Sequence, residues 1–110
     1  MTFWGLTIGD LHLPTPIIQG GMGVGVSLSR LAGAVAAAGG LGVIATAGIG
    51  MDETDFAENY IEANSRVLTR EIRAVREKTD GALGVNIMVA LTNYAEMVST
   101  AVKEGVDAIF

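Results

Sequence analysis

Short apolar runs alternate along this chain with segments of helical periodicity, and this alternation restricts the fold more than any other property of the sequence. The runs are Ile17-Ile18-Gln19, Leu41 to Thr46, Gly84 to Val89 and Val106 to Phe110. Continuous apolar strands are buried on both faces, and strands joined through helices pair in parallel with right-handed crossovers. Three of the four strands are entered through Gly-Val (Gly42-Val43, Gly84-Val85, Gly105-Val106), a helix-stopping glycine followed by a buried strand. The fold class is therefore α/β. The pattern leaves open whether the sheet is doubly wound or closes into a barrel. A lone parallel sheet of four strands with so short a last strand would expose an apolar edge. The sequence is thus expected to form the first part of a larger α/β unit.

Local signals fill in the remaining elements. Leu6, Ile8, Leu11 and Leu13 flank Gly9-Asp10, a pair suited to a type II′ hairpin, and Pro14 and Pro16 end it. A first helix is predicted after Ser27 or Ser29 as cap, with Leu28, Leu31, Val35 and Ala38 as its apolar face and Gly39-Gly40 as its stop. Asp52 opens a long second helix that turns Phe56, Tyr60, Val67, Leu68, Ile72 and Val75 inward. Glu62/Arg66 and Arg73/Glu77 form four-apart ion pairs on its solvated face. Acids cluster early in this helix and bases late, as the helix dipole favours. Asn93 with Glu96 makes a capping-box-like start for a third helix bearing Tyr94, Met97, Val98, Ala101 and Val102.

Composition excludes several classes. Half of the 110 residues are hydrophobic, cysteine is absent, and 12 acids against 7 bases give a net charge of −5. Neither a disordered tail nor a disulfide scaffold fits, and nucleic acid and anionic membrane surfaces are poor partners. The 21 residues from Leu31 to Met51 carry no charge, but Ala and Gly dominate them and Gly39-Gly40 breaks them, so they do not read as a membrane span. With no basic n-region before Asp10, the expected location is cytoplasmic. No P-loop is present. Gly40 to Ala45 satisfies G-x-G-x-x-A but leads into a strand instead of leaving one. A single histidine, His12 in the hairpin, and no cysteine argue against zinc and thiol chemistry.

In parallel α/β folds ligands gather at the carboxyl ends of the strands, which directs attention to Gln19 to Gly25, Thr46 to Gly50 and Asn86 to Thr92. The first exit holds Gly20, Gly21, Gly23 and Gly25. Such a stretch serves either a sharp turn or close approach of bare backbone to a ligand. Strand alternation sets Asn86 and Met88 opposite Val85, Ile87 and Val89. A buried amide needs a partner, which is a neighbouring backbone group, a water or a ligand.

The blocks Pro16-Ile17-Ile18-Gln19-Gly20-Gly21-Met22-Gly23, Ala37-Ala38-Gly39-Gly40-Leu41-Gly42 and Gly84-Val85-Asn86-Ile87-Met88, in that order, resemble the N-terminal part of the nitronate monooxygenase (2-nitropropane dioxygenase) family. The related flavin-dependent type II enoyl-acyl-carrier-protein (enoyl-ACP) reductases share them. The resemblance implies that residues 1–110 are the N-terminal segment of an FMN-binding (β/α)8 TIM barrel, a hairpin followed by barrel strands one to four. It implies cofactor contacts at Gly21, Met22, Gly23, Thr46, Asn86 and Met88. It assigns no catalytic residue here, because the family's catalytic histidine and phosphate loops belong to later strands. The implied reaction is oxidation of an alkyl nitronate by dioxygen to a carbonyl compound and nitrite, in a possible homodimer. Two alternatives stay open: an NAD(P)H-dependent flavin reductase acting on enoyl-ACP or a quinone, and a non-enzymatic α/β association module.

Overall fold

The computed structural model describes residues 4–110. Strands β1 (Leu6–Ile8) and β2 (Leu11–Leu13) form the expected antiparallel hairpin. Gly9 takes φ +55° while Asp10 stays at negative φ, the combination a type II′ turn requires. Helix and strand then alternate: α1 (Ser29–Ala37), β3 (Gly42–Ala45), α2 (Phe56–Lys78), β4 (Leu83–Asn86), α3 (Tyr94–Lys103) and β5 (Ala108–Ile109). In the parallel sheet β3-β4-β5, Val43 stands opposite Gly84 and Gly84 opposite Ala108. The first apolar run is not a regular strand. It makes one parallel bridge, Ile18 to Leu41, the residue that precedes β3.

Strand order and the placement of the helices decide between the two windings. The four apolar runs lie side by side in chain order. One core joins Ala32 of α1, Val67, Leu68, Ile72 and Val75 of α2, and Met97 and Ala101 of α3 to Ile44, Leu83, Val85 and Ile87. The helices therefore cover one face. On the other face Leu41 and Val43 pack with Leu13 of the hairpin, flanked by Ala82 and Ala108. A doubly wound sheet reverses its strand order and carries helices on both faces. Sequential order with helices on one side is the winding of a (β/α)8 barrel, and the hairpin covers the inner face near the strand starts.

Several local expectations give way to tertiary packing. The buried side of α1 is Ser29, Ala32, Gly33 and Ala36, and Leu31 is exposed. The reason is the closeness of the approach. A Cβ on Gly42 would overlap the Ala32 carbonyl, and one on Gly81 the Ala36 carbonyl, so only small residues fit this seam. Neither serine caps α1: Ser27 turns to the glycine-rich loop, and the Ser29 hydroxyl donates to Glu71. Helix α2 starts at Phe56 and not at Asp52, and non-helical angles at Asn59 kink it, leaving Tyr60 exposed. Its arginines reach past the four-apart acids. Arg66 binds Glu53 and Asp55, and Arg73 makes a two-pronged pair with Glu104 of the α3 cap at 3.0 Å for each bond. A preorganised acid on a neighbouring segment outcompetes a flexible one on the same helix face. Asn93 occupies the α3 N-cap position without a side-chain capping bond.

No described helix is long and apolar enough to cross a membrane. The uncharged Leu31 to Met51 run resolves into most of α1, a turn, β3 and the loop beyond it.

Candidate functional site at the carboxyl ends of the strands

The three exits meet at one end of the sheet. Gly21 lies directly over Asn86 at the end of β4: a Cβ on Gly21 would stand 3.0 Å from the Asn86 Cβ and 3.3 Å from a Val43 methyl. Gly23 lies as closely against the loop after β3, where a Cβ would come within 2.8 Å of the Ala47 Cβ. The glycines thus serve close approach between protein segments. Gly20, Gly21 and Met22 remain exposed on the side away from them.

Three hydrogen-bonded anchors hold this loop. Val24 donates its N–H to the Ala47 carbonyl at 2.8 Å. It does so at φ +51°, a left-handed conformation that a β-branched residue adopts only under constraint. Buried Ser27 exchanges hydrogen bonds with Met22, the Met22 N–H donating to the Ser27 hydroxyl and the Ser27 N–H to the Met22 carbonyl, each at 2.9 Å. Finally, the Ala45 N–H donates to the Ser27 carbonyl at 3.1 Å and so joins the loop to β3.

The predicted site residues divide into two groups. Gly21, Met22, Gly23, Asn86 and Met88 flank the exposed surface, with Met22 and Met88 more than half exposed. Asn86 is half-buried, and its side-chain amide makes no hydrogen bond to another described residue. Thr46 differs. It is buried, and its N–H and hydroxyl both donate to the Asn86 carbonyl at 3.0 Å. Its hydroxyl therefore fixes Asn86 instead of facing the open side.

The exits are uncharged throughout: residues 20–27, 46–51 and 86–92 contain no acid, base or histidine. Exposed Met22, Val24, Val26, Met51, Met88 and Val89 make this end apolar. The perturbed groups all lie elsewhere. Arg66 lowers the Asp55 pKa and Arg73 lowers that of Glu104, in each case chiefly through a side-chain hydrogen bond, and both pairs sit on the helical surface. No described cluster of acids, histidine or cysteine could hold a metal. His12 stays in the hairpin near the strand starts, 3.1 Å from the Thr7 hydroxyl. A concavity of about 500 Å³ lies on the outer side of α2, lined by Arg66, Arg70, Arg73 and Glu77 among others. It is separate from the exits.

This end of the sheet can hold the edge of a flat, polar-rimmed and largely apolar group. The N–H groups of Gly21 and Gly23 donate to no acceptor among the described residues. Together with the Asn86 amide they offer directed donors and an acceptor on an uncharged surface, which suits a flavin ring. No cation at the exits suits a phosphate.

Two residues of this site escape a reading that looks for ligand contacts. Gln19 and Ser27 do not line the exposed surface but hold its geometry. The available signal was Gln19 itself, a polar side chain ending an apolar run, the same signal that singles out Asn86.

Comparison with known proteins agrees with this architecture. The family model described as nitronate monooxygenase matches residues 7–108. A curated Mycobacterium tuberculosis (strain ATCC 25618 / H37Rv) protein, (3aS,4S,5R,7aS)-5-hydroxy-7a-methyl-1-oxo-octahydro-1H-indene-4-carboxyl-CoA dehydrogenase, is 35% identical over 91 residues. That alignment takes in 83% of this chain and 21% of the relative, so the chain spans about a fifth of the relative's length. With its one-sided winding, its glycine loop against Asn86 and a match over nearly its whole length, the chain belongs to the nitronate monooxygenase family of oxidoreductases.

Proposed function

We propose that this chain supplies the first part of an FMN site in an oxidoreductase that oxidises an uncharged or singly charged organic substrate with an apolar body. The observation that carries this reading is the juxtaposition of Gly21 with Asn86 on a surface without charge. When bound, FMN would supply the two-electron exchange with substrate and with the terminal acceptor. The protein's own contributions are positional. The free N–H groups of Gly21 and Gly23 and the Asn86 amide orient the ring edge, and the Thr46 hydroxyl keeps Asn86 in place by bonding its carbonyl. Met22 and Met88 exclude water from the ring and from the apolar part of the substrate. A dry, uncharged environment strengthens each of these hydrogen bonds.

Family membership favours an alkyl nitronate as the donor, with dioxygen as acceptor and a carbonyl compound and nitrite as products. A second reading has its own support. The Mycobacterium tuberculosis relative is named as a dehydrogenase of a bicyclic carboxyl-CoA, which favours flavin chemistry on an acyl thioester of apolar character. Purified protein incubated aerobically with an alkyl nitronate should release nitrite under the first reading. Flavin bleaching by NAD(P)H or by an acyl thioester without nitrite supports the second. A colourless protein that FMN cannot reconstitute sinks both. Asn86→Leu keeps a similar volume and removes the amide, so FMN dissociation should accelerate about tenfold for one lost hydrogen bond.

A further inference from the structure

The first apolar run pairs with Leu41, just before β3, for one step and then departs from the ladder, and the departure follows a specific pattern. Leu41 donates its N–H to the Ile17 carbonyl at 2.9 Å, and Gln19 donates its N–H to the Leu41 carbonyl at 3.0 Å. A regular parallel ladder would continue with the Val43 N–H on the Gln19 carbonyl and the Gly21 N–H on the Val43 carbonyl. Neither bond is present. The Val43 N–H donates instead to Gln19 Oε1 at 3.0 Å, and Gln19 Nε2 donates to the Val43 carbonyl at 3.1 Å. Val43 offers one donor and one acceptor, so only this orientation of the amide satisfies both. The Gln19 side chain stands in for one full rung of the sheet.

The substitution has two effects. It releases the Gly21 backbone from β3, so Gly21 can turn over Asn86 with its N–H unengaged. It also reaches the loop's other anchor, because Gln19 Nε2 lies 3.2 Å from the buried Ser27 hydroxyl that receives the Met22 N–H. One amide therefore sets both ends of the Gly21–Met22 segment.

We propose that Gln19 is the positioning residue of this site, its side chain replacing the ladder rung that would otherwise engage Gly21 and orienting Ser27 against Met22. The structural half of the proposal stands on hydrogen bonds in the protein alone. Its consequence for the cofactor rests on the FMN reading above, and the experiment separates the two.

The test uses the full-length protein: hydrogen–deuterium exchange is read at single residues after the cofactor is stripped, so that no ligand shields the Gly21 N–H, and FMN affinity is read on reconstitution. In Gln19→Leu the backbone rung can close, so the Gly21 N–H should become protected at least about tenfold while FMN affinity falls about tenfold. Simple destabilisation would instead speed exchange at every nearby amide. In Ser27→Ala the Met22 N–H should exchange about tenfold faster, and Ser27→Thr, which keeps the hydroxyl, should restore it. The affinity losses of Gln19→Leu and Ser27→Ala should be less than additive, because both act through one contact. Unchanged or faster Gly21 exchange in Gln19→Leu overturns the proposal. If Gln19→Leu does not fold, unchanged Met22 exchange in Ser27→Ala overturns it. Wild-type protein that binds no FMN removes the cofactor reading while the exchange results still decide the role of Gln19.

Discussion

Two buried glycines, one in β3 and one in α1, should respond in opposite ways to one added methyl group. Gly42 opens β3 beneath α1, and a Cβ there would lie 2.7 Å from the Ala32 carbonyl carbon and 3.0 Å from the Ala32 Cα, all of it helix backbone. Carbon atoms in good contact stand about 3.5–4.0 Å apart, so α1 would have to withdraw by about 1 Å. That shift breaks the close contacts of Ala32 with Gly42 and of Ala36 with Gly81, where no flexible side chain can absorb it. Gly42→Ala should therefore cost about 3 kcal/mol, the upper part of the usual overpacking range. Gly33, inside α1, is different: its Cβ would meet only Lys78 Cδ and Val75 Cγ2, both at 3.9 Å. Ordinary contact combined with the helix propensity of alanine should make Gly33→Ala more stable by about 0.5–1 kcal/mol. Urea unfolding followed by far-ultraviolet circular dichroism would measure both shifts. Equal effects from the two substitutions, or a Gly42→Ala change below about 0.5 kcal/mol, would refute the close-seam account of α1.

Two further outcomes follow from polar contacts. Asn64 of α2 accepts the N–H of buried Gly50 at 2.8 Å, and Asn64→Leu should destabilise the protein by about 1–3 kcal/mol by orphaning that donor; an unchanged urea midpoint would contradict this. The Arg73 guanidinium, chiefly by hydrogen bonding and then by its charge, holds the Glu104 carboxyl below the usual carboxylate range. A folded-state pKa below the unfolded value contributes stability above the unfolded glutamate pKa of about 4.3, and that stability is lost as pH falls through the folded value. The advantage of wild type over Glu104→Gln at neutral pH should accordingly shrink through the acid range, and a constant difference down to about pH 2 would contradict it.

Much of the candidate site's placement was legible because its signals are local. Asn86 breaks the apolar pattern of its strand, and Gly21 and Gly23 cluster at a strand exit, which is where α/β folds bind ligands. The structure adds that Gly21 and Asn86 touch across 65 residues of chain. Thr46 shows the boundary of such reasoning. Its position was readable, but the direction of its hydroxyl depends on the neighbouring strand, whose Asn86 carbonyl receives it.

The sequence by itself determined the alternation of strand and helix, the Gly9-Asp10 turn and the uncharged character of the three exits, since periodicity, turn chemistry and charge belong to near neighbours along the chain. Only the tertiary structure decided which face of α1 is buried, which acids the α2 arginines choose, and that Gln19 acts as a rung of the sheet. Each of these depends on how closely two distant backbones approach. At the α1–β3 seam that distance leaves no room for the larger side chains that helical periodicity alone would have turned inward.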